Sequence, residues 1–291
     1  MKNPLFTGVC TALVTPFLNG EVNYPMLERL IARQLEGGVH AIVLCGTTGE
    51  APTLTDEEKR DIIARAKQVT GDDCLIIAGT GSNDTSHAVR LSRQAQEAGA
   101  DAVLVVSPYY NKATPEGLCL HYQAVALSVQ LPVIVYNVPS RTGVDIPVSV
   151  YRELSAMENI AGVKEATGDM KKILSIRAQC PAHFRVWSGC DELTVPTLAL
   201  GGAGVISVLS NLYPEMTQTM VSAGLDGDFD TAADLQIRFE PIIRALFSQP
   251  NPIPVKAAMK LLGFDCGEPR LPLTPASHQL AEKLGTLLNI V

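Results

Sequence analysis

The sequence predicts an α/β fold, a closed (β/α)8 or TIM barrel followed by a small C-terminal all-helical region. Short β-branched runs recur through the first two-thirds of the chain, each followed by a segment of helical periodicity, and such runs stop after about Tyr213. The runs end near Val14, Cys45, Ala78, Val106, Tyr136, Lys164, Trp187 and Ile206. They number eight, as a closed parallel barrel requires. The expected division is a barrel over residues 1–224 and a helical region over 225–291.

The elements carry their own signals in chain order. After the first strand, Leu27, Leu30, Ile31 and Leu35 mark the apolar stripe of a helix. Gly46-Thr47-Thr48-Gly49-Glu50 then reads as a turn between the second strand and its helix. That helix opens with Thr55-Asp56-Glu57-Glu58, a capping box in which the threonine and the later glutamate each satisfy a free backbone N–H. Thr114-Pro115-Glu116 puts a capping hydroxyl before a proline whose missing N–H is harmless at a first helical position. Beyond Tyr213, helical pattern runs through Phe239, Ile242, Ile243 and Leu246, resumes from Val255 to Leu262, and returns near the C-terminus. Asn251-Pro252-Ile253-Pro254 reads as a rigid turn before a helix.

Composition narrows the function classes. The chain has 291 residues, of which 46% are hydrophobic, enough for one sizeable core. A net charge of −7 without any Lys/Arg-rich block argues against a nucleic-acid partner. Seven cysteines are an odd number, scattered without CxxC spacing, which fits reduced thiols in a cytoplasmic protein. The start Met1-Lys2-Asn3-Pro4 lacks the pattern of a signal peptide, and no apolar run approaches the roughly 18 residues of a membrane span.

In a parallel barrel the active site lies at the C-terminal strand ends, so polar residues closing apolar runs are the candidates. They are Thr47 and Thr48, Tyr109 and Tyr110, Tyr136, Lys164, and Ser207. Lys164 ends the apolar run Ile160-Ala161-Gly162-Val163 and is expected to point into the barrel mouth; the competing reading is a lysine that snorkels to solvent. An ordinary lysine is almost wholly protonated at neutral pH, so a nucleophilic one needs desolvation or a neighbouring cation. Tyr136 reads either as ordinary core or as a proton relay. The hydroxyls and backbone N–H groups of the Gly46–Glu50 turn suit a carboxylate, although a plain turn also explains its glycines. Arg141 suits a second carboxylate, against the commoner surface arginine.

Gly201-Gly202-Ala203-Gly204 reads as tight packing or, less favourably, as a phosphate loop. The five histidines show no HExxH or HxH spacing, and no Walker or dinucleotide fingerprint follows the first strand. Neither a metal nor a cofactor is expected.

Four motifs together resemble the dihydrodipicolinate synthase family over nearly the whole chain. They are Gly46-Thr47-Thr48-Gly49-Glu50, Ser107-Pro108-Tyr109-Tyr110-Asn111, Tyr136-Asn137-Val138-Pro139-Ser140-Arg141-Thr142-Gly143, and Gly162-Val163-Lys164-Glu165-Ala166. The resemblance implies a pyruvate-dependent Schiff-base lyase in which Lys164 attacks the ketone of pyruvate. The enamine then adds to L-aspartate 4-semialdehyde, and cyclisation gives 4-hydroxy-tetrahydrodipicolinate for lysine and diaminopimelate biosynthesis. It also implies that Tyr136, Thr47 and Tyr110 form a proton relay, with Tyr110 supplied by a neighbouring subunit. A homodimer is then the minimum active unit, and a dimer of dimers the common assembly.

By the same resemblance Thr48 holds the pyruvate carboxylate and Arg141 the semialdehyde carboxylate, while backbone carbonyls of Gly189 and Ile206 line the pocket. Related lyases that cleave sialic acids or keto-deoxy sugar acids share the lysine and tyrosine and form the second reading; a barrel that only binds keto acids is the third. Lysine-inhibited members bind lysine around positions matching Ala51, Lys59, Asn83, His87 and Tyr109. Here His87 stands where many have an acidic residue, and Ala51 where serine is common. Feedback by lysine is therefore expected to be weak or absent.

Overall fold

The computed structural model describes residues 5–288, so Met1-Lys2-Asn3-Pro4 lies outside the described residues. Eight parallel strands close into a barrel: β1 (Gly8–Ala12), β2 (Ala41–Leu44), β3 (Leu75–Gly79), β4 (Ala102–Val106), β5 (Val133–Asn137), β6 (Ile160–Glu165), β7 (Arg185–Ser188) and β8 (Gly204–Ser207). Strand β1 closes the ring by pairing with both β2 and β8. Each expected strand end falls within two residues of the observed one.

Period-two alternation sorts the strand residues into two layers. Val9, Ile42, Ile76, Val103, Val135, Val186 and Val205 face the helices, and Cys10, Val43, Ile77, Leu104, Ile134, Trp187 and Ile206 fill the barrel. The interior is a packed apolar column, stacked by Phe6 against Trp187 at 4.9 Å between ring centroids.

The barrel helices are α1 (Tyr24–Glu36), α2 (Asp56–Thr70), α3 (Thr85–Glu97), α4 (Pro115–Ser128), the short α5 (Pro139–Thr142), α6 (Val148–Leu154), α7 (Met170–Gln179), α8 (Thr194–Ala199) and α9 (Pro214–Asp226). The capping box at α2 forms in full: Glu58 N–H donates to Thr55 Oγ1 at 3.1 Å, and Thr55 N–H donates to Glu58 Oε2 at 2.9 Å. Thr114 caps α4 through Gly117 N–H at 3.2 Å. Helix α1 buries Leu27, Leu30 and Ile31 as its stripe predicts, but also Gln34, whose amide is satisfied by Thr11 Oγ1 and the Ser210 carbonyl.

Among the described residues the regular elements after α9 are helices, α10 (Phe229–Leu246), α11 (Ile253–Leu261) and α12 (His278–Leu288). The glycines before β8 serve packing: a Cβ on Gly202 would sit 2.6 Å from Thr197 Cγ2, and one on Gly204 would sit 1.9 Å from the Gly8 carbonyl oxygen. They lie at the N-terminal end of β8, opposite the barrel mouth, so the phosphate reading is withdrawn.

Candidate active site

A one-residue irregularity in β6 decides which way Lys164 faces. Val133 of β5 pairs with Ile160 of β6, but the next residue, Ile134, pairs with Gly162, so β6 carries one extra residue at this point. Ile160 and Val163 consequently both face the helix layer. Unbroken alternation from Ile160 would have turned Val163 inward and Lys164 outward. Beyond the bulge Lys164 faces the barrel, in register with Tyr136 of β5.

Gly162 permits the bulge. Its φ is +154°, and a Cβ there would lie 2.0 Å from the Arg185 carbonyl oxygen.

Lys164 is 6% exposed, and its Nζ stands 4.4 Å from the centroid of the Tyr136 ring, a cation–π distance. Gly189 leaves room for it: a Cβ there would come within 3.1 Å of Lys164 Cε and 2.7 Å of Ala166 Cβ. Ile206 is buried in the interior layer of β8.

The residues that follow the pair on each strand, Asn137 and Glu165, were not singled out from the sequence. They are opposite each other in register and form a buried polar lock behind the site. Asn137 Nδ2 donates to Glu165 Oε1 at 3.0 Å and to Asp145 Oδ1 at 2.9 Å, while its Oδ1 accepts from Ile146 N–H at 3.1 Å. Glu165 also accepts from Tyr151 Oη at 3.2 Å and Thr167 N–H at 3.0 Å. Burial raises the Glu165 carboxyl above its ordinary range, against the opposing pull of Lys172 and these hydrogen bonds. Such a network is stable only when every member is satisfied, so it fixes the β5–β6 register. Their position directly after the paired Tyr136 and Lys164 was the available signal.

At the strand ends a cavity of about 520 Å³ is lined by Thr47, Tyr136, Arg141, Asn251, Asp56, His87 and Tyr109. Lys164 is not among its lining residues and meets it through the Tyr136 ring. Thr47 borders the opening, and Thr48 is buried beneath it, its Oγ1 accepting from Asn251 Nδ2 at 2.9 Å. Arg141 sits in the short helix α5 rather than in a loop, exposed, with Nη2 3.5 Å from the Asn251 carbonyl oxygen. Asn251 belongs to the helical region and was read from the sequence only as part of a turn.

Tyr110 is not brought to this group. It is 91% exposed, with a left-handed φ of 72°.

Ala51, Lys59, His87 and Tyr109 line the same cavity, and the Asn83 carbonyl accepts from Asn111 Nδ2 at 2.9 Å. One acidic neighbour was missed there: Asp56 Oδ2 lies 3.0 Å from His87 Nε2, and Asp56 Oδ1 lies 3.7 Å from Lys59 Nζ. Among the described residues no group of three or more His, Cys, Asp or Glu is placed to hold a metal ion, and no helix is long and apolar enough to cross a membrane.

Comparison with known proteins gives a consistent result. The sequence model of the dihydrodipicolinate synthetase family matches residues 5–291. A 4-hydroxy-tetrahydrodipicolinate synthase of Acetivibrio thermocellus is 46% identical over 290 residues, covering 99% of this chain and 98% of that relative. The crystal structure of dihydrodipicolinate synthase from Aquifex aeolicus superposes with a TM-score of 0.96 at 44% identity, covering 98% of this chain and 97% of that one. The enzyme of Cyanidioschyzon merolae, solved with lysine bound, gives a TM-score of 0.96 at 39% identity and 99% coverage of both chains.

Proposed function

The chain belongs to the dihydrodipicolinate synthetase family, and we propose that it condenses pyruvate with L-aspartate 4-semialdehyde through a Schiff base on Lys164. The observation that carries this is a lysine 6% exposed inside an apolar barrel, in register with a tyrosine that lines a cavity at the strand ends. The Lys164 amine adds to the ketone carbon of pyruvate, and loss of water from the carbinolamine gives the imine. Loss of a methyl proton then gives an enamine, which forms the new carbon–carbon bond to the aldehyde. Attack of the semialdehyde's amino group on the imine carbon closes the ring and frees Lys164, giving 4-hydroxy-tetrahydrodipicolinate.

These steps move protons, and Tyr136, Thr47 and Tyr110 are assigned to carry them. Thr48 and the neighbouring backbone N–H groups take the pyruvate carboxylate, Arg141 takes that of the semialdehyde, and the Gly189 and Ile206 carbonyls line the pocket. The test is pyruvate with borohydride followed by mass measurement of Lys164-containing peptides. A pyruvate-derived adduct on Lys164 is expected, and its absence would exclude any Schiff-base reading. Formation of the cyclic product on adding aspartate semialdehyde separates the synthase from a sugar-acid lyase, which shares the lysine and tyrosine but has no further observation in its favour.

The active unit in this proposal is a homodimer, the common assembly a dimer of dimers, and the setting cytoplasmic. Exposed Tyr110 supports the first of these, since its assigned role requires another chain's pocket. Feedback by lysine is expected to be weak. Asp56 supplies the anion that His87 does not, but its carboxylate is already engaged by His87 and Lys59, so an incoming ammonium must displace both. Strong inhibition of the purified enzyme by micromolar lysine would overturn this expectation.

A further inference from the structure

The turn Gly46–Glu50 lines the cavity with Gly46, Thr47 and Glu50 and keeps Thr48 buried. Thr15 Oγ1 donates to its Gly49 carbonyl at 2.7 Å, but the side chains of Thr48 and Glu50 are anchored from the far end of the chain. Glu50 closes the turn in a left-handed conformation, φ 57°, which a non-glycine residue keeps only when its surroundings hold it. Its carboxylate is buried. Oε1 lies 2.6 Å from Lys256 Nζ, with side-chain exposures of 1% and 3%, and Oε2 accepts from the Arg270 backbone N–H at 2.8 Å. Thr48 Oγ1 is held by Asn251, from the approach to α11, the helix that carries Lys256.

The Arg270 guanidinium extends the same attachment along α2. It forks onto Glu58 at 2.5 and 2.8 Å and donates to the Thr53 carbonyl at 2.7 Å. Phe17 lies beneath both cations, 4.3 Å from Lys256 Nζ and 4.4 Å from Arg270 Cζ. A buried ion pair adds little net stability over an apolar equivalent, but it fixes geometry where its partners' remaining hydrogen bonds are met.

We propose that the C-terminal helical region is a strap that positions the carboxylate-binding turn, with Glu50 and Lys256 as positioning residues acting through Thr47 and Thr48. This rests on the pyruvate reading of the site. Without the Glu50–Lys256 bond the turn is free to leave its strained conformation, and Thr48 loses its aim at the pyruvate carboxylate. The Lys164 amine, carried by β6, is left in place.

The test measures borohydride capture on Lys164 against pyruvate concentration in Lys256→Met, in Glu50→Gln, and in the double variant, which buries no unpaired charge. The pyruvate concentration giving half-maximal capture should rise about tenfold or more in all three, as a misplaced binding group predicts, with slower capture at saturating pyruvate because Thr47 moves with the turn. A merely structural pair would lower the melting temperature of the single variants, recover it in the double, and leave half-saturation unmoved throughout. That result overturns the proposal. Where the single variants fail to fold, the double variant alone decides it. Capture in the wild type with unshifted variants overturns only the strap, whereas no capture in the wild type overturns the pyruvate reading beneath it.

Discussion

Gly162→Ala is expected to abolish pyruvate capture at Lys164, with turnover reduced by about three orders of magnitude or more, because the reacting amine leaves the site. The added Cβ would fall 2.0 Å from the Arg185 carbonyl oxygen and 2.7 Å from Arg185 C and N, at a φ of +154° that L side chains rarely adopt. Two relaxations are open. If the extra residue is expelled from β6, alternation resumes from Ile160, Val163 turns inward and Lys164 turns into the helix layer, where an unpaired ammonium is costly. If the bulge persists, Lys164 still faces the barrel but β7 must withdraw from β6, breaking the pairing of Gly162 with Arg185 and of Lys164 with Trp187 and moving the strand that carries the amine out of its place.

Either way stability falls by an amount on the order of 1–3 kcal/mol, the range for strain at a special backbone position. Ala161→Gly, the neighbouring bulge residue, is the control. It should cost about 1 kcal/mol by backbone entropy and leave capture intact. Urea melts and adduct mass measurement read both, and a Gly162→Ala enzyme that captures pyruvate at the wild-type rate would remove the bulge from the account of the site.

The same bulge shows where the sequence stops being legible. The strand ends could be found because β-branched runs and turn residues are local signals, and the α2 cap because its two partners lie three residues apart. Lys164 could be found as a lysine closing an apolar run, but its direction could not be derived. Alternation counted from Ile160 gives the outward face, and only the contact of Gly162 with the neighbouring strand reverses it. Glu50 was read as the end of a turn, and its partner Lys256 is 206 residues away. Asn251 is 203 residues from Thr48. No periodicity links such positions, so the attachment of the helical region to the barrel mouth is a property of the fold alone. Gly201–Gly204 serve the packing that was the favoured reading, and the lesser phosphate reading fell for the opposite reason. Glycines before and after a strand look alike in sequence, while only the end after the strand faces the mouth.

Subunits carrying Lys164→Ala and subunits carrying Tyr110→Phe should each be nearly inactive alone and regain activity when mixed. The first lacks the amine. The second lacks the proton-transfer group proposed above, a loss of about a hundredfold or more. Tyr110 is 91% exposed with a strained φ of 72°, outside the group formed by Lys164, Tyr136 and Thr47 in its own chain. If it serves the neighbour's site, a hybrid dimer holds one complete site, pairing Lys164 of the Tyr110→Phe subunit with Tyr110 of the Lys164→Ala subunit. Random exchange in equal mixture makes half the dimers hybrid, so activity should recover to about a quarter of wild type. If Tyr110 instead acts within its own chain, every site in the hybrid lacks either the amine or the phenol, and mixing recovers nothing. Native mass spectrometry establishes that subunits have exchanged; hybrids present without recovered turnover would confine Tyr110 to its own chain and make the single subunit the catalytic unit.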